Sequence, residues 1–358
     1  MDNKTIKELL ASAEYDFLRN KPELNDNIIL LTFGGSHAYG TNIETSDVDI
    51  RGVYAHTKID LLTMSCKDKP FVNTQTDTTV YPLKQFVKLL SNSNPNVLEI
   101  LGTREEDTFV LTEAGKMLRD NKNIFLSQIA SASFGGYAMA QLRRLQNALA
   151  RDSYPQSEKE QHILDSIKHQ NPHIERNYPV FDDTDIRLYL DDSDKTDYDK
   201  EIFIDININK YPLRDLRAIA NEWANVIRDY DSLNHRNSKK DSIHLDKHCM
   251  HIIRLLLMGT EILEGKGINT YRANDLDLMM KLRNGDYVGK NNDYSYIFEL
   301  VDKYEKEFKY AKLHTELPKK PNYDMINDLV FEINKKIINE ETYNYEYLVN
   351  YVLTKYNK

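Results

Sequence analysis

Hydrophobic residues recur with two different periods in the first third of the chain. The uninterrupted apolar run 28–33 predicts a buried strand, and the alternating segment 47–54 (DVDIRGVY) predicts a half-buried one. A third strand is predicted over 77–81 (DTTVY). The first apolar residues instead follow helical spacing and predict an amphipathic N-terminal helix: Ile6, Leu9, Leu10, Ala13 and Phe17. These elements indicate a small α/β domain, which we place at residues 1–110.

The remainder of the chain, residues 111–358, predicts a mainly helical domain. Its polar part, 151–210, carries two alternating segments, 187–190 and 201–208, which predict a β-hairpin insertion. Helical periodicity predicts the elements Leu213–Asp229, Ser242–Leu263, Ala273–Arg283, Tyr294–Glu307, Tyr323–Asn339 and Tyr343–Lys355. The predicted fold class is therefore α/β, with a small sheet domain followed by a helical one.

Composition excludes several classes of protein. No apolar run approaches the roughly 20 residues that a membrane-spanning helix needs, and the charged N-terminus lacks the apolar stretch of a signal peptide. We therefore expect a cytoplasmic protein without membrane contact. The two cysteines, Cys66 and Cys249, share no ligand spacing, so a disulfide framework and a cysteine zinc site are not expected. A net charge of −9 argues against a general nucleic-acid coat protein but permits a locally basic cleft.

The segment 33–52 carries the clearest chemistry. A strand ends in Gly34-Gly35-Ser36, and after a ten-residue spacer Asp47-Val48-Asp49 opens the next strand. Glycines let a backbone approach a phosphate closely. A helix that starts at Ser36 would direct its free N–H groups at the phosphate, and the Ser36 hydroxyl can donate to a phosphate oxygen. Residues i and i+2 of a strand project from one face, so Asp47 and Asp49 would direct two carboxylates at one point. Carboxylates together with nucleotide phosphates are ligands that Mg²⁺ prefers, and two such ions can activate a hydroxyl and stabilise a leaving pyrophosphate.

This pattern resembles the signature of the DNA polymerase β nucleotidyltransferase superfamily. The flanking segments are similar to a narrower group, the RNA-ligase-associated nucleotidyltransferases. The resemblance is carried by the blocks GSHAYGTNIETSDVDIRGV (35–53), NPNVLEILG (94–102), KHCMHIIRLLLMGTEIL (247–263) and MKLRNGDY (280–287). It implies a polymerase β-like mixed-sheet catalytic domain and an RNA acceptor, such as a broken or 3′-terminal end.

The superfamily resemblance also implies a third carboxylate on a later strand. Asp77 is the best candidate, because it begins a strand-like segment, whereas Asp60 and Asp68 lie in loop-like sequence. Its expected role is to bind a catalytic ion and help deprotonate the acceptor hydroxyl. Arg51 lies one strand repeat beyond Asp49, where it could contact phosphate or pair with a catalytic aspartate.

A local reversal of charge marks the helical part. Lys247, His251 and Arg254 follow at i, i+4 and i+7 and predict one polar face, either a clamp for phosphates of the NTP or acceptor or a solvated helix face. Further cations lie just upstream at Arg236, Lys239 and Lys240.

Other patterns leave alternatives open. His244, His248 and His251 could form a helical zinc site, Arg228 and His235 resemble the paired residues of small helical ribonucleases, and the Asp-rich turn 191–200 could bind calcium. Side chains that could either line the cleft or pack are His37, Tyr39, Tyr137, Gln141 and Arg144, and Glu99 is expected to have a supporting role.

The expected function is metal-dependent transfer of a nucleoside monophosphate from an NTP, most simply ATP. Gly35, Ser36, Arg51 and the basic stripe would hold the donor, and Asp47, Asp49 and Asp77 would bind Mg²⁺ or Mn²⁺ and act in catalysis. The acceptor would be an RNA end or, alternatively, a protein hydroxyl. A catalytically inactive nucleotide-binding regulator is the third alternative.

Overall fold

A mixed sheet forms the N-terminal part of the molecule in the computed structural model of the chain, which describes residues 3–63, 69–153, 156–170, 186–195, 199–206, 212–235, 242–290 and 293–339. The strand order is β3-β4-β2-β1-β5. The strands are β1 (Ile28–Phe33), β2 (Ile50–Tyr54), β3 (Phe71–Asn73), β4 (Thr78–Pro82) and β5 (Thr108–Leu111). Strand β1 runs antiparallel to β2 and β5, whereas β2 and β4 are parallel.

Helices make up most of the remaining described structure. Those in the first half are α1 (Asn3–Leu10), α2 (Phe17–Asn20), α3 (Gly35–Tyr39), α4 (Lys58–Leu62), α5 (Leu83–Ser91), α6 (Pro95–Leu101), α7 (Glu113–Asp120), α8 (Ile129–Ser153) and α9 (Gln156–Gln170). Those in the second half are α10 (Leu213–His235), α11 (Ser242–Leu263), α12 (Leu276–Arg283), α13 (Ser295–His314) and α14 (Tyr323–Asn339). The predicted fold class is confirmed. The helix predicted over 343–355 lies outside the described residues.

The chain groups into two compact units. One contains residues 1–141 and 246–358, and the other contains residues 142–245. The predicted division at residue 110 stays a prediction. In the second unit a hairpin of β6 (Ile186–Asp192) and β7 (Lys200–Ile206) accounts for the predicted insertion, and a small apolar cluster contains Ile163, Ile167 and Val226.

The core of the first unit lies against the sheet. Every residue of β1 is buried, as its IILLTF sequence predicts, and the surrounding cluster contains Ile6, Leu24, Tyr39, Ile50 and Val80. Local signals fix the short helices. Thr57 and Asp60 form a capping box at the start of α4, and Pro95 occupies the first turn of α6.

No helix in the described ranges combines the length and apolar character needed to cross a membrane.

Three elements that meet at one edge of the sheet begin at residues other than those predicted. The strand predicted from Asp47 begins at Ile50, the strand predicted from Asp77 begins at Thr78, and the helix predicted from Ser36 begins at Gly35. Asp47 and Asp49 therefore precede their strand rather than lie on it. The N-terminal helix is also shorter than predicted, since α1 ends at Leu10.

Candidate active site

The turn after β1 is shaped by Gly35. Its φ of 52° is in the left-handed region that favours glycine. A Cβ at this position would lie 1.8 Å from Oδ2 of Asp49, so only glycine admits that carboxylate. Gly34 is similarly crowded, because its Cβ would lie 2.6 Å from Cγ of Arg51. The glycines thus serve to bring an acidic side chain against the turn.

Strand pairing places Asp49 beside this turn. Phe33 pairs with Ile50 across β1 and β2, and the Gly34 N–H donates to the Asp49 carbonyl oxygen at 2.8 Å. The Asp49 side chain is 19% exposed, whereas Asp47 is exposed. The two carboxylates therefore approach the turn from the segment before β2.

The parallel pair β2–β4 brings Asp77 to the same edge. Ile50 pairs with Thr78, and the Ile50 N–H donates to the Asp77 carbonyl oxygen at 3.2 Å. Asp77 adopts a φ of 41°, an uncommon conformation for a residue other than glycine. Its side chain is 58% exposed. A strained turn residue at this point directs an accessible carboxylate toward Asp49.

Arg51 joins the two carboxylates. Its Nη2 lies 3.1 Å from Asp49 Oδ1 and 3.0 Å from Asp77 Oδ1, and its Nη1 donates to the carbonyl oxygen of Asp77. Of the two roles open to Arg51 from sequence, the structure has the ion pair with the predicted catalytic aspartates.

The pKa values of Asp49 and Asp77 are shifted in opposite directions. Burial, followed by a hydrogen bond with Asp77, raises the pKa of Asp49 from 3.8 to about 7, although Arg51 opposes this rise. The same hydrogen bond, together with Arg51, lowers the pKa of Asp77. Below about pH 7, Asp49 therefore keeps its proton while Asp77 is ionised. Such a difference is expected for two carboxyl groups in contact.

We expect Asp49→Asn to stabilise the protein at pH 8 but not at pH 5. Between about pH 4 and 7 folded Asp49 keeps a proton that the unfolded chain releases, so this group's contribution to the unfolding free energy falls as pH rises through that window. Asparagine removes the buried charge and mimics the protonated acid. The expected gain at pH 8 is on the order of 2 kcal/mol, or about 3 °C in Tm.

Thermal unfolding of both proteins at pH 5 and pH 8 measures this difference. Glu44→Gln is the matched control, because Glu44 is an exposed carboxylate on the same loop. Equal differences between Asp49→Asn and wild type at the two pH values would contradict the pKa assignment.

Basic and acidic side chains together line an open cleft of about 270 Å³. The residues that line this cleft are Gly35, Ser36, Ser46, Asp47, Asp49, Lys247, Met250, His251 and Arg283. Burial is the main cause that lowers the pKa of His251 to about 3, and the neighbouring groups Arg254, His248, Arg283 and Lys247 contribute to the same shift. This imidazole is therefore neutral, and the positive charge in the cleft comes from lysine and arginine.

Arg254 does not line this cleft, which corrects the prediction that it clamps the triphosphate. It is 4% exposed. Its guanidinium donates to Glu99 Oε1 and stacks over the Tyr39 ring at 3.9 Å, while the Tyr39 hydroxyl donates to Glu99 Oε2 at 2.5 Å. A buried guanidinium that pairs with Glu99 and stacks on Tyr39 is not available to a phosphate in the cleft. This cluster instead fixes α3, which follows the glycine turn, against α6 and α11.

The other side chains that could have lined the cleft, apart from Arg144, contact neighbouring protein side chains instead. His37 is buried and stacks on Phe33 at 5.0 Å. Tyr137 accepts a hydrogen bond from Asn94, and Gln141 Oε1 lies 2.9 Å from His248 Nδ1. Arg144 is exposed. Residues whose side chains lie outside the described part are Cys66, Asp68, His235, Arg236, Lys239, Lys240 and His244.

The donor set fits a divalent cation held by few protein ligands. Among the described residues, no three His, Cys, Asp or Glu side chains form a metal-binding group. Asp47 and Asp49 nevertheless line one cleft, next to the turn that admits the Asp49 carboxylate. Magnesium is commonly held by one or two carboxylates, with substrate phosphates and waters completing the octahedron. The site therefore fits Mg²⁺ bound together with a polyphosphate. The third ligand, Asp77, stays a prediction.

Sequence reasoning missed Arg283 and Ser46 in the cleft. Arg283 Nη2 donates to Ser46 Oγ at 3.0 Å. Arg283 lies within the MKLRNGDY block that carries part of the family resemblance, which is the one signal that could have identified it.

Comparisons with known proteins agree with this geometry. Residues 4–165 match the model of a family described as RlaP, the RNA repair pathway DNA polymerase beta family. Over 125 residues the chain is 29% identical to an Enterobacteria phage T4 protein described as an uncharacterized 38.9 kDa protein in the nrdC-mobD intergenic region. That alignment covers 32% of this chain and 37% of the phage protein. No solved structure matches the chain.

Proposed function

We propose that the protein transfers a nucleoside monophosphate from an NTP to an acceptor hydroxyl, since residues 4–165 match the model of the RNA repair pathway DNA polymerase beta family. One observation carries the proposal. Asp49 meets Asp77 at the edge of the sheet, directly beside the Gly35 turn, and both acidic and basic side chains line its cleft. This arrangement suits a polyphosphate bound with a divalent cation.

Asp47 and Asp49 are the residues that would hold Mg²⁺ or Mn²⁺. Such an ion would neutralise charge on the donor phosphates and favour departure of pyrophosphate. Ser36 would donate its hydroxyl to a phosphate oxygen, and the absence of a Cβ at Gly35 leaves the space that Asp49 needs beside the same phosphates.

Asp77 is the residue proposed to accept the proton of the acceptor hydroxyl. Its lowered pKa keeps the carboxylate ionised, and its exposure leaves it accessible to an incoming chain end. The hydroxyl oxygen forms a bond to the α-phosphorus, the bond from that phosphorus to the bridging oxygen breaks, and pyrophosphate leaves with the electron pair. The proton passes from the hydroxyl to Asp77.

The family description supports RNA as the acceptor. The chain's net charge of −9 means that RNA contacts must be confined to local basic surface. We therefore expect recognition of an RNA end rather than of a long duplex. ATP is the simplest donor.

The test incubates the full chain with each of the four α-labelled NTPs and Mg²⁺ or Mn²⁺. Acceptors are RNA oligonucleotides with a 3′-hydroxyl, matched oligonucleotides with a blocked 3′ end, and total protein from a lysate. We expect label on the hydroxyl-ended RNA and one pyrophosphate released per label. Label on protein instead would replace the RNA acceptor by a protein hydroxyl. Tight NTP binding without pyrophosphate release under every condition would contradict the proposed enzyme and favour a nucleotide-binding regulator.

A further inference from the structure

Three arginines in the described part of the chain are almost completely buried. Arg254, Arg272 and Arg283 are 4%, 2% and 7% exposed. Removing a guanidinium from water is costly unless a counter-charge accompanies it. Arg254 pairs with Glu99, and Arg272 pairs with both Glu261 and Asp275. The chain therefore satisfies two of these three cations with its own carboxylates.

Arg283 is different. Within the described ranges, no carboxylate lies within ion-pair distance of it, and its hydrogen bond goes to the neutral hydroxyl of Ser46. The Nε atoms of all three arginines are buried without a hydrogen-bond partner, so what distinguishes Arg283 is the lack, among the described residues, of a carboxylate at its Nη atoms. Burial also lowers the pKa of Arg283. Its position at the C-terminal residue of α12 gives some stabilisation by the helix dipole, but much less than an ion pair would provide.

The guanidinium faces the cleft that holds the candidate site. Arg283, Lys247 and the neutral His251 line the same cleft as the Gly35–Ser36 turn and the carboxylates of Asp47 and Asp49. Lys247 likewise has no ion pair among the described residues. The planar guanidinium can donate two parallel hydrogen bonds to a phosphate, which makes arginine well suited to bind this anion.

We infer that Arg283 is a binding residue for the polyphosphate of the donor nucleotide, which supplies the counter-charge that the protein lacks. The inference deepens the proposed function and rests on it for the identity of the ligand. The donor is favoured over the acceptor's phosphates, because Arg283 shares its cleft with Gly35 and Ser36 but not with Asp77. Through Ser46, the same guanidinium holds the loop that carries Asp47.

Inorganic tripolyphosphate tests this inference without any transfer reaction. Its affinity for the full chain is measured by calorimetry, and its effect on Tm by thermal unfolding, with Mg²⁺ present and absent. We expect Arg283→Met to weaken tripolyphosphate binding by about 10- to 100-fold, the loss typical of a charged hydrogen-bonding group. The Tm of ligand-free Arg283→Met should equal or exceed that of wild type, because a buried cation without a counter-charge has been removed.

Two matched variants serve as controls. Lys281→Met removes a half-exposed cation from the same helix, where it pairs with Asp277 outside the cleft, and should leave tripolyphosphate affinity unchanged. Arg272→Met removes a buried arginine that has acidic partners, and should lower the Tm. Unchanged affinity in Arg283→Met would overturn the inference, whatever its Tm.

The conservative variant decides the outcome if Arg283→Met fails to fold. Arg283→Lys keeps the charge but loses the planar fork, so binding at least about 10-fold weaker than wild type supports the inference, and wild-type affinity overturns it. Failure of the proposed function is separable. A wild-type chain that binds tripolyphosphate through Arg283 but transfers no nucleotide contradicts only the function. Normal transfer by Arg283→Met, with an unchanged KM for NTP, contradicts only the inference.

Discussion

Replacing Asp49 by asparagine is expected to reduce nucleotidyl transfer by about 10²- to 10³-fold or more, a loss typical of removing one preorganised charge-stabilising group from an active site. Among the described residues, Asp49 is the one acid that both lines the cleft and shares the Arg51 guanidinium with Asp77. The amide keeps the shape that Gly35 accommodates but cannot supply a negative charge to a cation. Initial rates of pyrophosphate release, measured with saturating Mg²⁺ and the preferred NTP, give the effect.

The loss should appear in kcat while the protein stays folded. Because the same substitution is expected to raise Tm at pH 8, lower activity cannot be ascribed to unfolding. Glu44→Gln provides the matched control, since it neutralises an exposed carboxylate on the same loop and should retain wild-type rates. Transfer by Asp49→Asn within about threefold of wild type would exclude this acid from catalysis.

Replacing Arg254 by methionine is expected to destabilise the protein by about 3–5 kcal/mol, because it leaves the buried Glu99 carboxylate without its counter-charge. Glu99 retains the hydrogen bond from Tyr39, but that bond comes from a neutral hydroxyl. Urea unfolding of the wild-type and variant proteins at pH 7 measures the change. The KM for NTP of the folded variant should not change, since Arg254 lies outside the cleft.

A double variant measures how much of this destabilisation comes from the ion pair between Arg254 and Glu99. Glu99→Gln combined with Arg254→Met removes both charges, and should recover much of the stability that Arg254→Met loses. If Arg254 bound phosphate instead, the single variant would raise the KM for NTP with little loss of stability. That result would support the prediction, made from helical spacing alone, that Arg254 is part of a clamp for phosphates.

The comparison of Arg254 with Arg283 shows why sequence located the acids better than the bases. Positions 247, 251 and 254 share a helical stripe, but periodicity does not say whether a stripe faces solvent or a buried carboxylate 155 residues away. Conversely, Arg283 belongs to no stripe of cations. It reaches the cleft only because α12 ends beside Ser46.

The acids could be anticipated because their placement depends mainly on local pattern. The buried run of β1, the glycine turn and the spacing to Asp49 predict two strands with the acids where the second begins, and the structure adds that these strands pair antiparallel. The approach of Asp77 is less local. It requires β4 to join β2 in parallel. The sequence resemblance implied a third carboxylate on a later strand, but neither it nor periodicity specified this pairing.

The short strands at both edges of the sheet were missed for a physical reason. Strand β3 has three residues and β5 has four, too few for alternation to be recognised. Their identity as strands is set by pairing with β4 and β1 rather than by their own composition.

The central claim is that Asp47 and Asp49 bind a divalent cation together with the polyphosphate of an NTP. The most direct measurement is anomalous diffraction from crystals of the full chain grown with Mn²⁺ and a non-hydrolysable NTP. The account predicts an anomalous peak at about 2.1 Å from oxygens of both carboxylates, with the polyphosphate between the Gly35–Ser36 turn and Arg283. A nucleotide bound in another cavity, or a peak that neither carboxylate contacts, would contradict it.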